Sequence, residues 1–141
     1  MRLLDRLFKR TPKRKKDEGT ALERYRKSFF HAIDGIIYCV KYEHNMIIIL
    51  IATVISIILG FLLNISSLEW LFVISMCGAV SACEMINSSI EATIDLYTTS
   101  INPLAKLAKD TASSSTLIMS ITAFIGGCII FIPKIITLIG G

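Results

Sequence analysis

The stretch N45-M-I-I-I-L-I-A-T-V-I-S-I-I-L-G-F-L-L63 decides the fold class, because none of its 19 residues is charged. A helix of this length, at about 1.5 Å per residue, crosses a hydrocarbon core of about 30 Å. Two further apolar segments follow, uncharged over residues 70–83 and 111–133. The sequence therefore predicts an all-α membrane protein with three transmembrane helices, at about residues 45–63, 68–96 and 103–133.

The pair Asn102-Pro103 indicates where the third helix starts. Asparagine is a favoured N-cap residue, and proline is favoured at the first helical position. We expect this helix to begin near Pro103, before its apolar part. Its first turns, L104-A-K-L-A-K-D110, would then lie in the headgroup region.

Charge is concentrated at the beginning of the chain. Of the 15 Lys and Arg residues, 11 precede residue 28 beside four acids, so the first 27 residues carry +7 and the other 114 carry −3. These 114 residues carry fewer charged side chains than is typical of a water-soluble domain. Lys and Arg accumulate on the cytoplasmic side of membranes, and segment 96–110 contains two whereas loop 64–69 contains none. The N-terminus is therefore predicted in the cytoplasm and the C-terminus outside.

Two segments precede the first span. Residues 1–19 form a basic arm that is predicted to be disordered and attracted to anionic lipid headgroups, or to act only as a topology signal. Residues 20–42 form the second segment, and we expect an amphipathic helix there on the membrane surface, since the chain offers no soluble domain on which it could pack instead. Its apolar side chains occupy a helical arc of about 80°, namely Leu22, Tyr25, Phe29, Ile33, Ile36 and Val40.

Acidic residues occur in C83-E-M-I-N-S-S-I-E-A-T-I-D95, in the cytoplasmic half of the second span. Helical spacing places four polar side chains within a sector of about 80°, namely Glu84, Asn87, Glu91 and Asp95. Each ionised acid within a span costs about 2.5 to 3.5 kcal/mol on insertion scales, so something must offset the cost. Carboxylate and amide oxygens suit Mg²⁺, often together with substrate phosphates. Zinc is not expected, because no His or Cys joins this sector.

Other interpretations of these acids remain open from residue types alone. They could be buried carboxylates paired with Lys106 and Lys109, or the proton or cation relay of a small transporter. Glu43, at the entrance of the first span, could join the site or be an ordinary interfacial carboxylate. Lys109, followed by Asp110, could neutralise a transferring phosphoryl group or extend to the interface.

Small residues at three- and four-residue spacing form a stripe along the third helix. The stripe favours close helix packing and could also line a lipid groove, and it consists of Ala108, Ala112, Thr116, Ser120, Ala123 and Gly127. The four cysteines show no C-x-x-C spacing and are expected to be small packing residues. The chain has neither a GxxxxGK[ST] nor a GxGxxG motif, so a nucleotide would need another kind of site.

The segment E84-M-I-N-S-S-I-E-A-T-I-D95, with A105-K-L-A-K-D110 and S113-S-S115, resembles the signature of the bacterial integral-membrane diacylglycerol and undecaprenol kinases. The similarity covers roughly residues 24–133. It implies a homotrimer of three-span subunits, each with a surface helix, in which composite sites lie between subunits at the cytoplasmic face of the cell membrane. Residues 20–141 would form a kinase domain that uses ATP and Mg²⁺ to phosphorylate the primary hydroxyl of a lipid.

The resemblance also implies roles for individual positions. Glu84 would be the general base that takes the proton from the lipid hydroxyl, and Glu43 and Glu91 would hold the Mg²⁺ that bridges the ATP phosphates. Asn87 and Asp95 would support that site. The residues implied at the nucleotide are Arg24, Glu43, Glu91, Asn102, Lys109 and Asp110. Those implied at the lipid are Arg24, Glu84 and Ser113.

Two positions depart from the family pattern. His44 is the only substitute for a basic residue that usually follows Glu43, and Asn102 stands where a histidine is common. The long arm, the Ile-rich spans and the 113–115 serine run are more similar to Gram-positive members, for which undecaprenol is the implied acceptor, with diacylglycerol as the alternative. The competing hypothesis is the transporter, against which the Lys109-Asp110 pair counts.

Overall fold

The computed structural model describes residues 20–97 and 102–140, which form four helices. These are α1 (Ala21–Tyr42), α2 (His44–Leu62), α3 (Ser67–Tyr97) and α4 (Pro103–Gly140). The chain divides into two compact units, one ending at Gly35 and the other beginning at Ile36. The predicted basic arm, residues 1–19, lies outside the described residues.

Polar side chains cap three of the helix starts. Thr20 and Glu23 each accept a hydrogen bond from the other's backbone N–H before α1, and Ser66 and Glu69 make the same reciprocal pair before α3. Both are capping boxes, which satisfy N–H groups that have no partner within the helix. At α4, the Asn102 side-chain oxygen accepts from the N–H of Leu104 at 2.9 Å. The predicted start of the third apolar helix at Pro103 is therefore confirmed.

A tight turn joins α2 to α3. Asn64 adopts a positive φ of 46°, which asparagine tolerates better than most residues, and the N–H of Ile65 donates back to the carbonyl of Gly60. A Cβ atom at Gly60 would lie 2.7 Å from the Trp70 ring. Glycine at this position therefore allows the two helices to approach closely.

Helices α3 and α4 form the most extensive helix pair of the described structure. Near the α2–α3 turn, Val73 and Phe131 are buried with Ile65, and Lys134 pairs with Glu69 at 3.2 Å. The contacts of Phe131 and Lys134 hold α4 against α3 on either side of Pro133. Helix α4 therefore continues through this proline to Gly140, beyond the end predicted at residue 133.

In the part of the chain that the structure describes, helices α2, α3 and α4 are each long and apolar enough to cross a membrane, so the three predicted long apolar helices are confirmed. Many large apolar side chains on them are exposed, including Ile51, Leu71 and Phe124. Such exposure is unfavourable in water but suits a surface that faces lipid tails. The four cysteines, all within the described residues, are free.

Candidate functional site

Glu84, near the middle of α3, is the most deeply buried large side chain among residues 20–97 and 102–140, with 1% of its surface exposed. Its Oε2 atom has no hydrogen-bond partner within this part of the chain. A buried carboxylate is costly unless it is paired or hydrogen-bonded. Glu84 is therefore a strong candidate for a group that receives its partner from a bound substrate.

Along the predicted polar face of α3, solvent exposure increases from Glu84 towards the C-terminal end of the helix. Asn87 is buried, Glu91 is half-buried and Asp95 is exposed. The Asn87 Nδ2 group donates to Glu91 Oε1 at 3.2 Å, which orients that carboxylate. Ser88 is buried on the same side, and its hydroxyl donates to the Glu84 carbonyl at 3.0 Å. The face therefore leads from a buried acid to a solvent-accessible one.

Cys39 connects the α1–α2 junction with this face of α3. Its thiol is buried, and burial together with the negative charges of Glu43 and Glu84 raises its pKa. Glu43, the N-cap of α2, donates its backbone N–H to the Cys39 carbonyl at 2.9 Å. The predicted residue Glu43 is thus brought to the neighbourhood of Glu84.

The basic residues of α4 pair with acids at the same end of the bundle. Lys109 Nζ lies 2.5 Å from Asp95 Oδ1, and Lys106 Nζ lies 2.8 Å from Asp110 Oδ2. The alternative interpretation, in which the acids of this face pair with lysines, therefore holds for Asp95, which forms an ion pair with Lys109. About a third of the Lys109 side chain remains exposed (35%) in this pair.

The remaining predicted residues occupy more peripheral positions. Arg24 lies exposed in the first turn of α1, within the unit that ends at Gly35. Asn102 caps α4 with its side-chain oxygen, which leaves its amide nitrogen available for other contacts. Ser113 is exposed on α4, one turn beyond Lys109.

The donor set agrees with magnesium in its chemistry. Among residues 20–97 and 102–140, no group of three or more His, Cys, Asp or Glu side chains is close enough to hold a metal ion alone. Mg²⁺ commonly uses only one or two protein carboxylates and completes its coordination with water and substrate phosphates. Glu91, oriented by Asn87, and Glu43 supply oxygen ligands of this kind, so the residues present fit such an ion.

Two polar residues near this face were not singled out by sequence analysis. Cys39 had been expected to be a packing residue, and Ser88 had no assigned role. Helical spacing places Ser88 about 40° from Glu84 around the helix axis, so the argument from helical spacing could also have identified Ser88. Cys39 lies on another element, and only tertiary packing brings it to Glu84.

An apolar cavity of about 440 Å³ lies between α2, α3 and α4, deeper in the spans than Glu84. Ile49 and Ala52 of α2, Val80 of α3 and Gly127 of α4 contribute to its wall. Val80 lies one helical turn from Glu84, so the cavity begins close to the buried carboxylate. Several stripe residues of α4, including Ser120 and Ala123, line it as well.

Comparison with known sequences identifies the class of protein. Residues 30–131 match the family described as prokaryotic diacylglycerol kinase. The chain therefore belongs to the prokaryotic diacylglycerol kinase family, a family of lipid kinases for which ATP is the co-substrate. This assignment confirms the resemblance and gives no support to the transporter hypothesis.

Individual relatives carry two different names. The chain is 37% identical over 120 residues to an undecaprenol kinase of Bacillus subtilis, which covers 85% of this chain and 98% of the relative. It is 38% identical over 121 residues to a diacylglycerol kinase of Helicobacter pylori, covering 85% and 91%. A diacylglycerol kinase of Pseudomonas aeruginosa is 29% identical over 99 residues, covering 70% and 80%.

Proposed function

We propose that this chain transfers the γ-phosphoryl group of ATP to the primary hydroxyl of undecaprenol at the cytoplasmic membrane face, with diacylglycerol as the weaker acceptor. The observation that carries the proposal is the buried Glu84 carboxylate, whose Oε2 has no partner in the described part of the chain. Membership of a lipid kinase family supplies the reaction class.

Glu84 acts as the general base in this proposal. As its carboxylate takes the proton from the lipid hydroxyl, the hydroxyl oxygen forms a bond to the γ-phosphorus of ATP. The bond between that phosphorus and the β–γ bridging oxygen breaks, and ADP leaves. The carboxylate lies within the membrane-spanning part of α3, so it meets a hydroxyl whose apolar tail remains in the bilayer.

Glu43 and Glu91 would hold Mg²⁺, and Asn87 would keep Glu91 in place through the hydrogen bond to its Oε1. When bound, the ion supplies positive charge that offsets the charge of the ATP phosphates. This division explains why two acids seven residues apart on α3 differ in environment. Glu84 is buried for proton transfer, whereas Glu91 is half-buried and can reach a hydrated ion.

Lys109 would neutralise the phosphates, and Asp95 would hold the Lys109 ammonium group until nucleotide binds. Asp110 would face the nucleotide base, and Asn102 would contact the nucleotide through its free amide nitrogen. Arg24 would contact both nucleotide and lipid, and Ser113 the lipid. These assignments extend the resemblance by position, and the exposure of each of these residues is compatible with ligand contact.

The assembly that we propose is a homotrimer with the N-terminus and the basic arm in the cytoplasm and the C-terminus outside. Residues 20–141 form the kinase domain, and α1 lies on the membrane surface as an amphipathic helix. The exposed aromatic residues Tyr25 and Phe29, which both belong to the apolar arc, support a membrane-facing side of α1. Glu43, Glu91 and Lys109 belong to different helical elements, so in the proposed trimer one site can combine side chains from two subunits.

Undecaprenol is favoured as the acceptor for two reasons. The relative named undecaprenol kinase is matched over 98% of its length, and the long basic arm and serine run are more similar to Gram-positive members. The catalytic carboxylate cannot distinguish the two lipids, since both offer one primary hydroxyl at the interface. Selectivity would have to come from the apolar wall that receives the tail.

The test is a competition between undecaprenol and diacylglycerol in one detergent, with labelled ATP and Mg²⁺. We expect the label mainly in undecaprenyl phosphate, and Glu84→Gln protein serves as the matched background control. Predominant labelling of phosphatidic acid would refute the choice of acceptor and leave the kinase assignment intact. Labelling of neither lipid by the wild type would refute the proposed activity.

A further inference from the structure

The hydroxyl of Thr116 on α4 differs from most hydroxyls on α3 and α4. Ser and Thr side chains within helices commonly donate to a carbonyl three or four residues earlier. On these helices the hydroxyl donors that do so are Ser81, Ser88, Ser89, Thr93, Thr111, Ser114, Ser115, Thr122 and Thr137. Thr116 is only 9% exposed, and its Oγ1 has no partner within residues 20–97 and 102–140.

The neighbouring residue explains why Thr116 does not bond to its own helix. Its natural acceptor four residues earlier is the carbonyl of Ala112, but Ser115 already donates to that oxygen at 2.7 Å. A carbonyl has two lone pairs, and the helical N–H and the Ser115 hydroxyl occupy both. Thr116 does not donate to the Ser113 carbonyl three residues earlier either, so its hydroxyl is left for an acceptor outside its own turn.

Thr116 is on the side of α4 that contacts α3, so a polar group of α3 is the expected acceptor. At about 100° per residue, Lys109 and Lys134 lie within about 20° of Thr116 around the helix axis. Both lysines pair with acids of α3, Lys109 with Asp95 and Lys134 with Glu69. A buried residue between them on the same side packs towards the same helix.

The two ion pairs also fix the level of Thr116 along α3. The helices are antiparallel, and interpolation between the two pairs places Thr116 opposite Asn87 and Ser88. Glu84 lies about 6 Å further along the axis, at about 1.5 Å per residue. Asn87 is 5% exposed, and its Oδ1 is an acceptor with no partner in the described residues.

We propose that Thr116 is a positioning residue that holds the Asn87 amide through one buried water bound between α3 and α4. The Thr116 hydroxyl donates to the water, which donates one hydrogen to Asn87 Oδ1 and the other to Ser88 Oγ. The hydrogen of Ser88 is already committed to the Glu84 carbonyl. Three polar partners are typical for an internal water.

This arrangement determines which end of the Asn87 amide faces Glu91. With Oδ1 held by the water, Nδ2 points to Glu91 Oε1, as the 3.2 Å hydrogen bond shows. Reversal of the amide would place its oxygen against the carboxylate, where it would be repelled. Thr116 thereby orients Glu91 without contacting it. This role rests on the proposed function, in which Glu91 is a ligand of the nucleotide-bound cation.

The first test measures steady-state kinetics of Thr116→Val, which keeps the shape of the side chain and removes the hydroxyl. We expect KM for MgATP to rise about fivefold, the size of one hydrogen bond, while kcat changes less than twofold. Thr116→Ser should restore the wild-type KM. The matched control is Thr122→Val, which removes an exposed hydroxyl bonded to the Ile118 carbonyl of the same helix and should change neither constant.

A second variant acts on Thr116 without altering it. Ser115→Ala frees the Ala112 carbonyl, to which Thr116 can then donate as the other hydroxyls do. We expect a rise in KM in the same direction as that of Thr116→Val and no additional rise in the double variant. A Ser115→Ala protein with wild-type KM, or a fully additive double variant, would overturn the explanation.

The third measurement needs no catalysis and depends on the sign of a change in Tm. If the Thr116 hydroxyl were buried without a partner, replacement by valine would raise Tm, because an unsatisfied polar group would be removed. If it holds a water on Asn87, valine should lower Tm by about 2 to 4 °C. The decrease should shrink in an Asn87→Ala background, where the acceptor is missing.

These results separate the two proposals. A lower Tm of Thr116→Val that depends on Asn87 supports the water site, whether or not the wild-type protein phosphorylates either lipid. If the wild type phosphorylates neither lipid, only the proposed function and the role in nucleotide binding are refuted. A higher Tm for Thr116→Val overturns the water site. A lower Tm with unchanged KM in an active kinase overturns the positioning role.

Discussion

Both ends of the α3–α4 pair contain acidic side chains, but the hydrogen bonds and ion pairs of these side chains differ. At the turn end, near the α2–α3 turn, Glu69 is hydrogen-bonded to the backbone of Ser66 and paired with Lys134, beside the buried Val73 and Phe131. At the acidic end, which extends from Asp95 to Glu84 near the middle of α3, the buried Glu84 carboxylate has an oxygen without a partner in the described residues. The same helix pair thus contains one end whose acid is paired within the chain and one whose buried acid is not fully paired within the described residues.

The comparison suggests how stability and function are divided. Unsatisfied buried polar groups are costly and rare, so each one calls for an explanation, such as a catalytic role or a ligand, ion or water that completes it. Substitutions at the turn end should change the amount of folded protein more than turnover, whereas substitutions at the acidic end should do the reverse. The predictions that follow test this division.

Glu84→Gln should have the largest effect on turnover. The amide keeps the shape of the side chain but cannot accept the proton, so we expect kcat to fall by about 10² to 10⁴-fold, the typical contribution of a general base. KM for MgATP should remain within twofold of the wild-type value. Lipid phosphorylation by purified protein in detergent measures both constants. A large increase in KM with preserved kcat would contradict the role of base.

Sharing of sites between subunits is the next prediction. Glu84 and Lys109 lie on different helices, so two inactive variants, Glu84→Gln and Lys109→Ala, should complement each other if one site draws on two subunits. We expect activity to rise from background when the two proteins are co-assembled. Cross-linking must confirm mixed oligomers, because absence of recovery in such oligomers would place the whole site within one subunit.

Glu91→Gln should have a smaller effect, of a different kind. The side chain accepts a hydrogen bond from Asn87 and is a proposed metal ligand, so its loss should raise KM for MgATP by about tenfold and lower kcat less than Glu84→Gln does. Titration of Mg²⁺ at fixed ATP provides a second measure, in which the half-saturating concentration should increase. An unchanged Mg²⁺ requirement would remove Glu91 from the metal site.

The sequence was sufficient to predict the three long apolar helices and the start of α4, because both depend on local rules. Absence of charge over 19 residues indicates a span, and Asn102 before Pro103 indicates a helix start. The end of α4 could not be predicted in the same way. Proline usually ends a helix in sequence-based arguments, but Phe131 and Lys134 anchor α4 to α3 around Pro133.

The candidate site was predictable only along one helix. Helical periodicity placed Glu84 and Asn87 together because both belong to α3. It could not show that Cys39, 45 positions before Glu84, is buried beside that face, since this depends on how the α1–α2 junction packs. Nor could it show that Lys109 meets Asp95, or that Ser115 takes the carbonyl available to Thr116.

The smallest effect on turnover is expected at the turn end, from Gly60→Ala. The new Cβ would lie 2.7 Å from Trp70, so the ring must move, and we expect a loss of about 1 to 3 kcal/mol in stability, as for other overpacked sites. The activity of the protein that remains folded should stay within twofold of the wild type. Gly78→Ala is the matched control, because a Cβ there meets nothing within 4 Å. In a helix interior this control should leave stability unchanged or raise it. Thermal unfolding and activity per folded molecule, measured on the same samples, test this prediction. If Gly60→Ala lowered turnover as strongly as Glu91→Gln does, the turn end and the acidic end would be coupled. The division of stability and function between the two ends would then be wrong.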